Sequence, residues 1–197
     1  MKSKDYVEAL DWESAIVAAT LELEPLKPKL QAALQKLDTA QKVLNAAKRK
    51  KDQAAIKKAQ GDIQKAQNVL RKLAEPYLYC GIARCFNLDK EGKHKEAIDD
   101  LSKAIVYGVD TNKAYYYRAY AFYLDGNYEK AIEDCWHIKK SPRRDELLGK
   151  IYIAMSKNEE AVNKIRHAIK WYNQKSILPP LGLLDSYREA CKKMNSV

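Results

Sequence analysis

Apolar residues recur every three to four positions along residues 28–74, which is the spacing of one face of an α-helix. The first run comprises Leu30, Ala33, Leu37, Ala40, Leu44 and Ala47. The second run comprises Ile56, Ala59, Ile63, Ala66, Leu70 and Leu73. The register breaks between residues 48 and 55, because continuing it would place Lys51 and Lys58 in the apolar stripe. We therefore predict a long antiparallel helical hairpin that turns at residues 48–52, and one long helix with a phase shift is the alternative.

A second pattern repeats along the chain after residue 76. Residues 83–100 align with residues 119–134, and each stretch contains a glycine that is followed by an Ala-Ile pair. The alanines of these pairs are Ala97 and Ala131, which gives a period of about 34 residues. A weaker third copy spans residues 149–168. Periods of this length are typical of solenoid proteins, in which each repeat packs against the next.

The repeats resemble those of the tetratricopeptide-repeat (TPR) family, in which helices A and B of each unit cross at small residues. The A-helix position matches Ala83, Ala119 and Gly149, and the B-helix position matches Ala97, Ala131 and Ala161. A large side chain at such a crossing would push the helices apart. The resemblance covers about residues 76–173 and implies an all-α fold, a right-handed α-α superhelix of the TPR-like solenoid type.

The sequence departs from the family pattern within the first two repeats. Repeat one has two extra residues before Gly92, and repeat two ends early at Ser141. Repeat two also carries Arg118 where the family usually buries an aliphatic residue.

We predict two domains. Residues 1–75 form an N-terminal helical segment that contains the hairpin at 28–74, and residues 12–16 resemble the start of a B helix, so that residues 1–25 are interpreted as a degenerate repeat. Residues 76–197 form three repeats at about 76–109, 112–141 and 143–173, followed by a capping helix at 179–195. A solenoid needs such a helix to cover its last apolar face. The face predicted to do so comprises Leu181, Leu184, Tyr187, Cys191 and Met194.

Composition narrows the classes of function. No segment holds about 18 consecutive apolar residues, so no membrane span is predicted, and the first residues do not form the apolar core of a secretion signal. The cysteines lack the paired spacing of metal or redox sites, which favours buried thiols in a reducing, cytoplasmic compartment; they are Cys80, Cys85, Cys135 and Cys191. Without a glycine-rich phosphate loop or a local nucleophile–base pair, we predict no enzyme activity, no cofactor and no metal site.

Positive charge is concentrated on the predicted hairpin. Residues 26–75 carry 13 basic and 4 acidic side chains, a net charge of +9 within a chain of net charge +10. We define the basic patch as Lys48, Arg49, Lys50, Lys51, Lys57 and Lys58. Such a patch suits contact with nucleic acid, an anionic surface or an acidic protein, and a well-solvated helix face is the alternative.

The TPR resemblance also implies where a partner would bind, because the A helices of the family line a concave groove. The matching positions are Arg84, Asn87, Leu88, Lys113, Tyr116, Tyr117, Tyr120, Tyr123, Arg143, Lys150 and Ile153. Spacing independently places Tyr116, Tyr120 and Tyr123 in one helical stripe. The opposite stripe, which comprises Tyr115, Ala119 and Phe122, is predicted to be buried. Alternatively, one or two of the groove tyrosines pack against the neighbouring repeat.

These observations predict a non-enzymatic adaptor or scaffold of the TPR type, which binds a peptide or helix of a protein partner within a larger complex. An RNA- or DNA-binding helical-repeat protein and a TPR-type secretion chaperone are the alternatives. Members that bind the tails of Hsp70 or Hsp90 use a two-carboxylate clamp of lysine, arginine and asparagine side chains. The matching positions hold Cys80, Arg84, Tyr117, Arg143 and Leu147, which argues against such a clamp.

Overall fold

The computed structural model describes residues 2–8, 11–87 and 93–194, without the side chains of Tyr6 and Lys93. The all-α class is confirmed, since these residues form eleven α-helices and one 3-10 turn, Glu24–Leu26, and no strand. The helices of the N-terminal half are α1 (Ser3–Glu8), α2 (Trp12–Leu23), α3 (Lys27–Lys50), α4 (Gln53–Leu73), α5 (Glu75–Phe86) and α6 (Lys93–Val106). The others are α7 (Thr111–Leu124), α8 (Tyr128–His137), α9 (Pro142–Ala154), α10 (Asn158–Gln174) and α11 (Leu181–Met194). Leu88 and Gly92, both named above, lie outside the described residues.

The chain divides into two compact units, residues 1–114 and residues 115–197. In the first unit, α5 lies at the centre and packs against α1, α2 and α6. Nine residues of α5 are buried, and Trp12 of α2 stacks on Phe86 with ring centroids 4.9 Å apart. The repeat bounds given above, including the degenerate repeat at residues 1–25, stay predictions.

Helices α3 and α4 form an antiparallel hairpin, which decides between the two alternatives for residues 28–74. The turn is made by Lys51, which has a left-handed backbone with φ of 55°, and by Asp52, whose side chain accepts a hydrogen bond from the N–H of Ala55. The Asp52 N–H donates to the carbonyl of Ala47 at 3.1 Å. Thus two residues close the hairpin, and the left-handed position that usually holds glycine holds lysine.

Replacing Lys51 with glycine should raise the free energy of unfolding by about 1 kcal/mol, because a side chain in the left-handed region costs roughly 1–2 kcal/mol that glycine does not. Lys48→Gly removes the same charge from the helical last turn of α3 and should lower the free energy of unfolding by about 1 kcal/mol. Urea denaturation followed by circular dichroism measures both. Equal effects of the two changes would contradict the role assigned to the backbone of Lys51.

Alanine dominates the contact between α3 and α4. The buried residues of the two helices are Leu30, Ala33, Ala40, Leu44, Ala47, Ala59, Ala66 and Leu70, all from the two predicted apolar runs. The remaining members of the runs, Leu37, Ile56, Ile63 and Leu73, are half-buried. Small side chains let the two helices approach closely, as the alternation of alanine with larger residues predicts.

Glycine marks the helix crossings in both units. A Cβ on Gly81 would lie 2.5 Å from Cγ of Leu101, and a Cβ on Gly149 would lie 2.4 Å from Cγ1 of Ile165. Gly81 of α5 therefore faces α6 as Gly149 of α9 faces α10. The sequence alignment assigned the crossing in the first repeat to Ala83. The structure places Gly81, two residues earlier in the sequence, at this crossing. The interval from Gly81 to Ala97 is accordingly four residues longer than the interval from Gly149 to Ala161 in the third repeat.

Helix α11 packs on α10 and α9 at the end of the second unit, where a capping helix was predicted. Its buried residues are Leu183 and Ala190, which join the cluster around Ile165 and Ala168 of α10. The face predicted to be buried is not the one that packs on α10, since Leu181 is 70% exposed and Met194 is also exposed. Leu184, Tyr187 and Cys191 are half-buried and flank the face that is in contact with α10.

Candidate functional site

Tyrosines of α7 line one side of the second unit. Tyr116, Tyr120 and Tyr123 are each half-buried and pack against the core cluster that α7, α8 and α9 share. The ring of Tyr116 meets that of Tyr117 edge to face, with centroids 5.2 Å apart, and the ring of Tyr120 lies 6.2 Å from that of Tyr123. The three tyrosines thus share a face, as their spacing predicts, and they also pack against the neighbouring helices.

The hydroxyl of Tyr116 has a perturbed pKa. Burial, assisted by the nearby Glu146 carboxylate and opposed by Arg143, raises this pKa to about 12. Glu146 and Arg143 belong to α9, so this end of the surface joins α7 to α9. The hydroxyl is neutral at physiological pH and can therefore both donate and accept a hydrogen bond.

A cavity of about 320 Å³ lies at the other end of the tyrosine row. It is lined by Tyr123, by Lys150, Ile153 and Ala154 of α9, and by Ser186, Glu189 and Lys193 of α11. The contribution of α11 was missed, because its sequence was interpreted only as a cap. The signal was present, since its three polar residues recur at intervals of three and four and must share one helical face.

We call the combined region of α7, α9 and α11 the tyrosine surface; it comprises Tyr116, Tyr117, Tyr120, Tyr123, Arg143, Lys150 and the cavity.

Charges on the tyrosine surface are balanced. The ammonium of Lys150 lies 2.9 Å from the Glu146 carboxylate, and that of Lys193 lies 2.7 Å from Glu189. Arg143 is exposed at the start of α9. The surface therefore offers aromatic rings, two ion pairs and the exposed guanidinium of Arg143, and its net charge is small.

The other predicted groove residues belong to the first unit. Arg84 forms ion pairs with Asp100 and with Glu96 of α6. Asn87 is buried at the end of α5, and the ammonium of Lys113 lies 5.2 Å from the ring centroid of Tyr79. These three side chains thus have contacts within the first unit, and their predicted part in binding stays a prediction.

The stripe opposite the groove tyrosines is only partly buried. Ala119 is fully buried, as predicted, whereas Tyr115 and Phe122 are half-buried. The guanidinium of Arg118 lies 5.4 Å and 5.9 Å from the centroids of these two rings. Tyr115 also stacks on His137, with centroids 4.6 Å apart. The arginine that departs from the family pattern therefore lies, partly buried, near both of these rings.

A buried ion pair links the two helices of each of the first two repeats. Arg118 of α7 donates to Asp134 of α8 at 2.7 and 2.8 Å, and Arg84 of α5 pairs with Asp100 of α6. Both aspartates are buried. Sequence analysis missed these pairs, although the signal was simple, because each arginine precedes its aspartate by the same interval and the second pair follows the first by one repeat period.

All six residues of the basic patch are exposed at the turn of the α3–α4 hairpin. In the described part of the chain, none of them lies within 4 Å of a carboxylate. Such solvated cations at one end of a hairpin produce a positive potential there.

The described residues hold no group of three or more histidine, cysteine, aspartate or glutamate side chains placed to bind a metal ion. Among the described helices, none combines the length and the apolar composition that crossing a membrane requires. Burial raises the pKa of the Cys85 and Cys135 thiols to about 12, so both are protonated at neutral pH.

No protein-family model matches the chain. The chain is 36% identical, over 92 residues, to the small glutamine-rich tetratricopeptide repeat-containing protein of Dictyostelium discoideum. The alignment covers 46% of this chain and 26% of that protein, so the chain matches about a quarter of its length. This similarity supports a TPR-like relationship for the matched part of the chain.

Proposed function

We propose that the protein is a non-enzymatic adaptor that binds a peptide or helix of a protein partner on the tyrosine surface. The observation that carries the proposal is the arrangement of half-buried tyrosine rings on α7 beside Arg143 and Lys150 of α9. The partial similarity to a TPR-containing protein supports the same class of function.

The chemistry of the tyrosine surface favours a protein ligand. Tyrosine supplies a large apolar ring with a polar tip, and partial burial fixes the ring before the ligand arrives, which reduces the entropy lost on binding. Aromatic and arginine side chains are enriched at the centres of protein interfaces. A phosphate backbone would instead need unpaired cations, and here Lys150 and Lys193 are each paired with a glutamate.

The test is a pull-down from the source cell's lysate in the presence of nuclease, with wild-type protein and with Tyr116→Ala/Tyr120→Ala. The double variant should reduce the affinity for a recovered protein partner at least about tenfold, because two ring anchors are lost. Tyr152→Ala is the matched control: this tyrosine of α9 is also half-buried and packed on the core, but it belongs neither to the row of tyrosines on α7 nor to the lining of the cavity. The affinities are measured by calorimetry, after circular dichroism melts establish that both variants are folded at the working temperature. Equal loss of affinity in the double variant and in the control would refute the assignment of the surface.

Nucleic-acid binding is the second candidate, and the exposed basic patch favours it. A single-stranded oligonucleotide held there would lose affinity with salt, with a slope close to −0.7 for each phosphate contacted. Substituting the six basic residues with glutamine should abolish this binding and leave a partner on the tyrosine surface unaffected. An oligonucleotide affinity that does not change with salt, or that the glutamine substitutions leave unchanged, would exclude this candidate.

A further inference from the structure

The α3–α4 hairpin also carries an apolar groove, which follows its two helices. A cavity of about 910 Å³ runs between α3, from Lys29 to Val43, and α4, from Ala59 to Leu73. We call it the hairpin groove. Buried alanines such as Ala40 and Ala66 form its floor, and Val43 and Val69 form its walls, each 48% exposed.

None of the described residues of the first unit fills the hairpin groove. Beyond their contact with each other, α3 and α4 make their substantial contacts at the base of the hairpin, with the 3-10 turn and with α5. A pair of helices buries only the contact between its members, whereas three or more helices can enclose a core. The hairpin thus resembles part of a helical bundle from which one helix is missing.

We propose that the hairpin groove binds an amphipathic helix of a partner protein that carries acidic residues beside its apolar stripe. The groove follows α3 from Lys29 to Val43, a length of about 21 Å at the helical rise of about 1.5 Å per residue, which matches four turns of helix. Its lining residues recur every three to four positions on both helices, so the apolar side chains of a third helix would find a continuous floor. The helices satisfy their own backbone groups, and an extended peptide would find no strand edge to pair with in the described part of the hairpin.

The charged residues around the hairpin groove indicate which kind of molecule would bind there. Lys29, Lys36 and Lys65 lie on the rim, and Asp62 is the one acidic residue among the described residues that line the groove; it lies 3.9 Å from Lys65. Residues 26–75 carry a net charge of +9, so a second copy of the hairpin would bring like charges within a Debye length of about 10 Å. Acidic residues beside the apolar stripe of a partner helix would meet the rim lysines instead. Among the described residues that line the groove, none carries an aromatic ring on which a nucleobase could stack.

The proposal can be tested with the full chain and a synthetic 18-residue peptide that has leucine at the a and d positions of a helix and glutamate beside them. The peptide should bind in fluorescence anisotropy measurements, and a version with lysine in place of glutamate should bind at least tenfold more weakly. Val43→Gln/Val69→Gln removes both walls without changing the charge and should weaken binding of the acidic peptide at least tenfold. Val106→Gln, at an exposed valine of α6 outside the groove, is the matched control and should leave binding unchanged.

Each other outcome overturns the proposal. Equal affinity for the acidic and basic peptides, or equal effects of the groove and control variants, would show that the contact is unspecific. Concentration-dependent dimerisation that Val43→Gln/Val69→Gln abolishes would identify a second copy as the occupant. These readouts do not involve the tyrosine surface, so failure here leaves the proposed function standing, and failure of Tyr116→Ala/Tyr120→Ala leaves this proposal standing.

Discussion

Replacing Asp134 with alanine should lower the free energy of unfolding by about 3 kcal/mol, the largest effect that we expect from a single substitution in this chain. The carboxylate is buried and accepts two hydrogen bonds from the guanidinium of Arg118, whose own side chain is largely buried. Alanine would leave that guanidinium in a poorly solvated position without the carboxylate to which it donates two hydrogen bonds. The cost is therefore mainly the desolvation of a cation that has lost its counter-charge, and the ion pair itself contributes less.

Two further variants test whether the loss of the buried counter-charge is what destabilises Asp134→Ala. Arg118→Met/Asp134→Leu removes both charges and should recover most of the lost stability, because a buried ion pair and an apolar pair of similar volume often differ little. Asp185→Ala removes one partner of the exposed pair between Asp185 and Arg188 of α11 and should cost less than about 1 kcal/mol. Urea denaturation of the full chain measures all three. Asp134→Ala unfolding at the same urea concentration as Asp185→Ala would contradict the argument.

The sequence predicted the helices and the hairpin well, because both depend on periodicity. The stripes of α3 and α4 follow from spacing alone, and so does the break between them. The left-handed backbone of Lys51 could not be predicted, since lysine has no preference for that conformation. The turn forms there because the packing of the two helices requires it.

The helix crossing in the first repeat shows where alignment fails. Sequence similarity placed the small residue at Ala83, and the packing places it at Gly81, against Leu101. Both residues are small and buried, so composition cannot separate them. The choice depends on which side of α5 faces α6, and that is a property of the packed structure.

Only part of the tyrosine surface was predicted, again because the remainder depends on how the helices pack. The stripe of α7 follows from spacing, whereas the cavity requires α11, which is remote from α7 in sequence. The two Arg–Asp pairs reach equivalent aspartates from different turns of their A helices, because Arg84 lies three residues after Gly81 and Arg118 lies one residue before Ala119. Relative to the two helix crossings, the same contact is thus made from two registers, although the two arginines and the two aspartates are each one repeat period apart in the sequence.

Replacing Gly149 with alanine should lower the free energy of unfolding by about 2 kcal/mol through overpacking, although alanine is the better helix former. The new Cβ would lie 2.4 Å from Cγ1 and 3.0 Å from Cδ1 of Ile165, so α9 and α10 would have to separate. Such overpacking costs roughly 1–3 kcal/mol, and a contact as short as 2.4 Å belongs at the upper end of that range. A gain in helix propensity of about 1 kcal/mol then leaves a net loss of about 2 kcal/mol. Gly182→Ala on α11, where a Cβ would meet nothing within 4 Å, is the matched control and should be neutral or slightly stabilising.

A second background tests the cause of the Gly149→Ala effect. Ile165→Ala removes the two atoms that would lie too close to the new Cβ and leaves the carbonyl oxygen of Ala161 at an ordinary contact distance of 3.6 Å. Gly149→Ala should therefore become neutral or stabilising when Ile165 is already alanine. The coupling between the two sites in a double-mutant cycle should then exceed about 1 kcal/mol. Additive effects in urea denaturation would mean that the helices relax around the added methyl group. In that case the absence of a side chain at Gly149 would not be what allows α9 to approach α10.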